Sequence, residues 1–187
     1  MNDISFYIQN FTKFEERNMK IGLCGSHSTG KTSLINEFIK LHPDYISVIE
    51  GIRNVVNKYN IQEEYKKGNE TLQFIYAYNH IIQIRELDNF ISDRTLIDNY
   101  AYYLSFDFEK KFKHMYKDLI LSNLNKYDII CYIPIEFECE NDNFRFGKSF
   151  QKTIDECILE ILNNFNIETV TISGSRKKRL QQLENLL

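Results

Sequence analysis

Gly25-Ser26-His27-Ser28-Thr29-Gly30-Lys31-Thr32 is the stretch whose reading decides the fold. It fits G-x-x-x-x-G-K-[ST], the pattern of a loop that cradles phosphate groups, or P-loop. Just ahead of it, Lys20-Ile21-Gly22-Leu23-Cys24 reads as a short buried strand. Just behind it, Ser33 to Leu41 reads as a helix with Leu34, Ile35, Phe38, Ile39 and Leu41 on an apolar stripe. Strand, glycine loop and helix together are the setting this motif needs. Glycines let the backbone turn tightly enough for consecutive N–H groups to point at phosphate oxygens. The helix N-terminus adds partial positive charge. Lys31 is expected to bridge the β- and γ-phosphates and the Thr32 hydroxyl to ligate Mg²⁺, with Gly25 through Ser33 forming the nucleotide cradle. His27 occupies a variable position, where its backbone N–H is expected to matter more than its ring.

The remainder of the chain suits one domain. Its 187 residues are 43% apolar, enough for a real core, and carry a net charge of −3. That balance argues against a strongly basic nucleic-acid binder. Of only 7 glycines, three (Gly22, Gly25 and Gly30) sit at or beside the loop. Apolar runs long enough for a membrane span are lacking, and the polar first 20 residues do not read as a secretory signal. Cys24, Cys131, Cys139 and Cys157 show no metal-binding spacing. Cys24 and Cys131 read as small core residues, and a reducing cytoplasm is the expected setting. No membrane partner is expected, and the oligomeric state stays open, with a homodimer among the options.

Residues 1–19 read as an extension with Phe6, Tyr7, Phe11 and Phe14 at roughly helical spacing, ahead of a domain over 20–187. Beyond the first helix, Tyr45 to Glu50 reads as a second strand, followed by a polar helix through Lys67 that carries Arg53. Glu70 to Asn89 reads as a long helix with Leu72, Ile75, Ile82 and Leu87 as its buried stripe. Phe90-Ile91-Ser92 is a third strand, ending in Asp93-Arg94. A tyrosine-rich helix from Asp98 and a Lys-rich one over 106–125 follow. Asp128 to Ile133 is the fourth strand, 136–148 a loop with Arg145, and Ser149 a candidate N-cap for the next helix. Ile167 to Ser173 is the fifth strand, and Gly174-Ser175 turns into a basic helix whose Arg176-Lys177-Lys178-Arg179 reads as a solvated face.

Five apolar strands alternating with helices predict an α/β fold: a five-stranded parallel sheet of the P-loop NTPase type with helices on both faces. Right-handed crossovers would bring the C-terminal ends of the strands to one rim, and with them the P-loop, Glu50, Asp93 and Arg94. Phosphoryl transfer asks a protein mainly for positioning and charge neutralisation. Asp93 is the candidate second carboxylate for Mg²⁺, beside Thr32. Arg94 is the candidate clamp on an acceptor phosphate or on the transferring group. Glu50 suits a general base for a neutral hydroxyl acceptor; for a phosphate acceptor Arg53 and Arg94 should dominate. Arg145 is a candidate to close over ATP, and Gly174 to flank its adenine.

The string from Gly22 to Thr32, with Asp93-Arg94-Thr95 and Ser173-Gly174-Ser175, resembles small P-loop kinases of the nicotinamide-riboside-kinase-like AAA group, and is similar to deoxynucleoside and thymidylate kinases. The resemblance covers about residues 19–187 and implies ATP and Mg²⁺ as cofactors and a small nucleoside or nucleotide as partner. In the deoxynucleoside kinases an acid ending the second strand is the base for the sugar hydroxyl, which matches Glu50, and a glutamine on a following helix reads the base, which matches Gln73. The lid of that group carries several arginines; here only Arg145 stands in the comparable region. Related phage kinases act on 5-hydroxymethyluracil already in DNA. For that acceptor Lys110, Lys111, Lys113 and Lys117 would offer a phosphate path. The expected activity is therefore an ATP/Mg²⁺-dependent phosphotransferase acting on a nucleoside, a nucleotide or a nucleobase hydroxyl. The rivals are a nucleotide switch without a phosphorylated product, whose GTP version lacks the guanine-reading N-K-x-D string, and a motor-type ATPase, for which the chain is short.

Overall fold

The computed structural model describes residues 18–49, 55–57, 60–61, 68–137 and 147–187. Five strands form one sheet: β1 (Lys20–Cys24), β2 (Ile46–Val48), β3 (Phe90–Asp93), β4 (Ile129–Tyr132) and β5 (Val170–Thr171), in the spatial order β2-β3-β1-β4-β5. All four pairings are parallel. The expected α/β architecture is therefore observed. Strands two and five are shorter than their apolar runs suggest, because each lies at an edge and pairs on one side only.

Alternation along the strands divides the core between two faces. Ile21, Leu23, Ile91, Cys131 and Ile133 point to one side. There they meet Leu34, Ile35 and Phe38 of α1 (Lys31–Leu41) and Leu183 of α6 (Arg176–Glu184). Cys24, Phe90, Ile130 and Tyr132 point to the other. They meet α2 (Glu70–Arg85), α3 (Leu96–Ser105) and α5 (Lys148–Asn164), with Tyr116 and Ile120 of the short α4 (Lys113–Leu121) closing that layer. Cys24 and Cys131 are buried free thiols in the core, as their strand positions imply.

Several local expectations are corrected. The buried face of α2 is not the aliphatic stripe: Ile75 and Ile82 are 38% and 41% exposed, whereas Gln73, Tyr76, Ala77, His80, Ile81 and Ile84 are buried beside Leu72. Aromatic and amide side chains can line a seam when their polar ends find partners, and His80 Nε2 does so with the Tyr127 hydroxyl at 2.8 Å. The Lys-rich segment is helical only over Lys113–Leu121, followed by a 3₁₀ turn at Leu124–Lys126. α5 starts from Gly147, so Ser149 lies inside its first turn and caps nothing. Arg179 is 2% exposed, so the basic run of α6 is not wholly a solvated face. The first 17 residues, the segment carrying Glu50 and Arg53, most of the helix expected up to Lys67, Cys139 and Arg145 lie outside the described residues. Among the described residues no helix is long and apolar enough to cross a membrane.

Candidate functional site

β1 is the central strand, and the loop that leaves its C-terminal end lies between the ends of β3 and β4. Gly25 makes the turn possible. Its φ is +149°, and a Cβ there would stand 2.4 Å from the carbonyl oxygen of Ile133. Gly22 matters one step earlier. A Cβ on it would reach 2.6 Å from Thr95 Cγ2 and 2.8 Å from the Tyr127 ring. Only a bare backbone lets the start of α3 approach the central strand so closely.

Lys31 opens α1 and folds back under the loop. Its Nζ donates to Gly25 O at 2.8 Å, to Ser26 O at 2.7 Å and to Thr29 Oγ1 at 3.1 Å. Burial pulls its ammonium below the ordinary lysine range, and the Arg94 charge adds to that effect. The Thr32 hydroxyl donates to Asp93 Oδ2 across the sheet edge, joining the two residues expected to serve a cation. Residues of these types fit Mg²⁺, which keeps most of its shell as water and phosphate oxygen and takes one or two protein ligands. Among the described residues there is no cluster of three or more His, Cys, Asp or Glu side chains able to hold a metal by itself.

Asp93-Arg94-Thr95 turns sharply. Arg94 has φ +93°, a left-handed conformation uncommon for a side-chain-bearing residue, while its N–H still donates to Leu23 O at 3.0 Å. The turn sends the guanidinium back over the loop, where it lies 4.9 Å above the Tyr102 ring and 3.9 Å from Asp98 Oδ1. Burial works against the Arg94 charge, but Tyr102, Tyr76, Asp98 and Asp93 outweigh it and hold the group protonated. Thr95 caps α3, and Asp98 reaches back to the Thr95 N–H at 2.8 Å. The other oxygen of Asp98 accepts from Gly25 N at 3.0 Å, so one buried carboxylate ties the start of the P-loop to the Asp-Arg turn. A Thr-x-x-Asp capping pattern is readable in sequence. Its second task, holding Gly25, is not.

Three further residues grip the loop. The His27 ring is buried and lies 3.1 Å from the Tyr102 hydroxyl, so it is more than filler. Gln151 of α5 donates to His27 O at 2.7 Å. Arg179 of α6 donates through Nη1 to Thr29 O at 2.6 Å, through Nε to Gly174 O at 3.0 Å and through Nη2 to Glu136 at 2.5 Å. Glu136 also accepts from Gly174 N at 2.7 Å, and Phe137 packs its ring on the guanidinium. Gly174 is thereby linked to the P-loop. Gln73 is buried on α2, and its backbone carbonyl accepts from the Tyr116 hydroxyl. Neither Arg179 nor Gln151 carries a local sequence signal, because each acts on a partner more than 100 residues away.

A family model described as an AAA domain matches residues 20–179. The chain belongs to that AAA-domain family. No curated protein matches it by sequence. Solved structures do match this AAA domain in fold. A deoxyadenosine kinase from M. mycoides, with products dCMP and dCDP bound, is 18% identical with a TM-score of 0.67, covering 90% of this chain and 97% of that one. A thymidylate kinase from Candida albicans is 18% identical with a TM-score of 0.67, covering 91% of each chain. The YorR protein from Bacillus subtilis, in complex with phosphorylated GDP, is 17% identical with a TM-score of 0.57, covering 89% and 94%. At such identities the likeness is one of fold, shared with two proteins that are kinases.

Proposed function

We propose that this AAA domain is an ATP- and Mg²⁺-dependent phosphotransferase whose acceptor is a hydroxyl on a nucleoside, nucleotide or nucleobase. The observation that carries the reading is the pairing of Thr32 with Asp93 beside Lys31, with Arg94 turned back over the same sheet edge. A switch needs the cradle but no arginine poised beside it. The kinase-like fold supports the same choice.

The loop amides and Lys31 would hold the triphosphate, with Lys31 trading its carbonyl partners for the β- and γ-oxygens. Thr32 and Asp93 would hold the metal, which when bound neutralises charge on the transferring group. Arg94 would steady that group or an acceptor phosphate. Glu50, which follows β2 in sequence, would take the hydroxyl proton as the acceptor oxygen forms its bond to the γ-phosphorus and the bond to the ADP oxygen breaks. Arg53 and Arg145 would supply further positive charge, and Gly174 would lie near the adenine, joined to the loop through Arg179.

The test is incubation of the protein with γ-labelled ATP and Mg²⁺ against nucleosides, deoxynucleoside monophosphates and DNA containing 5-hydroxymethyluracil. Label on a small nucleoside or nucleotide supports the reading. Label on the DNA alone moves the acceptor to the polymer, and tight ATP binding with label on none of them leaves the switch.

A further inference from the structure

The seam between α2 and α3 holds buried polar groups that the phosphate cradle does not use. Asn99 is fully buried, and among the described residues neither its side-chain amide nitrogen nor its side-chain carbonyl oxygen has a hydrogen-bond partner. Among the described residues the buried Tyr76 hydroxyl has no hydrogen-bond partner either, and Arg94 Nη1 has only its ion pair with Asp98 at 3.9 Å. The groups belong to neighbouring elements of the fold. Tyr76 sits on the α2 face that packs towards α3 and feels the charges of Arg94, Asp98 and Asp93. The Tyr116 hydroxyl reaches Gln73 O at 3.2 Å and Asn99 O at 3.5 Å, which fixes the two helices against each other at this level. Asn99 follows Asp98, whose carboxylate holds the first amide of the P-loop.

Leaving a buried donor or acceptor without a partner is costly, so folds rarely keep one without a use. A carboxamide with both ends free is a particular kind of vacancy in chemistry: it offers a donor and an acceptor in one plane. Its complement is a planar edge with an acceptor beside a donor, such as the lactam or amino-imine edge of a nucleobase. A sugar or polyol has no such edge.

Resting on the phosphotransferase reading, we infer that Asn99 recognises the acceptor through a planar amide- or amidine-type edge, so that the acceptor is a base-bearing nucleoside or nucleotide. Asn99 is then a specificity-determining residue of the acceptor pocket.

Two variants test this. Asn99→Leu keeps the branched four-atom outline of the side chain and removes the unpartnered atoms. The free protein should melt at the same temperature or higher, ATP binding should persist, and kcat/KM for the acceptor should fall at least about tenfold. Asn99→Asp only accepts, so it should favour guanine, whose N1–H and N2–H2 are two adjacent donors, and lose cytosine, adenine, uracil and thymine, each of which sets an acceptor beside its donor, by at least about tenfold relative to it. A structural asparagine behaves otherwise: Asn99→Leu would lower the melting temperature and leave the acceptor profile alone, and that result overturns the inference. So does equal phosphorylation of sugars or polyols by the unaltered protein. Failure of the transfer reading shows separately, as no labelled product from the unaltered protein. In that case thermal stabilisation by the nucleoside panel decides: a shift lost in Asn99→Leu upholds the recognition role, and no shift from any nucleoside sinks it.

Discussion

Replacing Arg179 with methionine should loosen the phosphate cradle from behind. The side chain keeps its apolar stem and loses every donor. Three acceptors are affected: Thr29 O, Gly174 O and the Glu136 carboxylate. Thr29 is almost fully buried, so its carbonyl is left without a donor at about 1–3 kcal/mol. Gly174 is half-buried and costs about 1 kcal/mol. The Glu136 side chain is 33% exposed and can rehydrate, so its loss is discounted to about 0–1 kcal/mol. The sum is about 3 kcal/mol, a fall of roughly 6–12 °C in melting temperature for a domain of this size. Because one of the three is a P-loop carbonyl, affinity for ATP/Mg²⁺ should drop about tenfold as the loop loses its fixed shape. Urea unfolding and calorimetric titration of the folded variant read the two effects separately. Glu136→Gln, which still accepts, should cost only about 1 kcal/mol. If Arg179→Met unfolds within about 1 kcal/mol of the parent and binds ATP equally well, the guanidinium is packing rather than holding the loop.

Other outcomes follow from the same geometry. Lys31→Met should lower phosphoryl transfer by at least about 10²-fold while the fold survives, read by labelled-product assay and circular dichroism. Asp93→Asn should shift activity to higher Mg²⁺ concentration, seen as a rightward move in a metal titration. Gly22→Ala should cost about 1–3 kcal/mol in denaturant unfolding, since the added methyl lands 2.6 Å from Thr95 Cγ2 and 2.8 Å from the Tyr127 ring. Burial, with the Arg94 charge adding to it, pulls His80 down to about 4 from 6.5. The unfolded chain therefore binds its proton first, and stability is lost as pH falls through the window from 6.5 towards 4, by up to about 3 kcal/mol. His80→Gln should flatten that part of the stability profile relative to the parent; parallel curves would mean that His80 titrates normally.

Residues adjacent in the chain determined much of this protein by themselves. The glycine loop between an apolar run and an amphipathic stripe specified strand, turn and helix. Repetition of apolar runs between helical patterns specified a parallel sheet, and that placed Asp93 and Arg94 on the rim that carries Lys31 and Thr32. Local signals fail where a side chain serves a distant partner. α2 shows why: Ile75 and Ile82 satisfy a helical apolar period, yet the seam takes Tyr76 and His80, and the partner of the His80 ring, Tyr127, comes from another element. The same holds for Arg179, which reads as one more charge in a basic run until the packing of α6 against α1 lays it on the Thr29 carbonyl. Periodicity reports how a helix divides solvent from interior. Which interior, and against which hydrogen-bonding groups, is decided only when the sheet has set its neighbours in place.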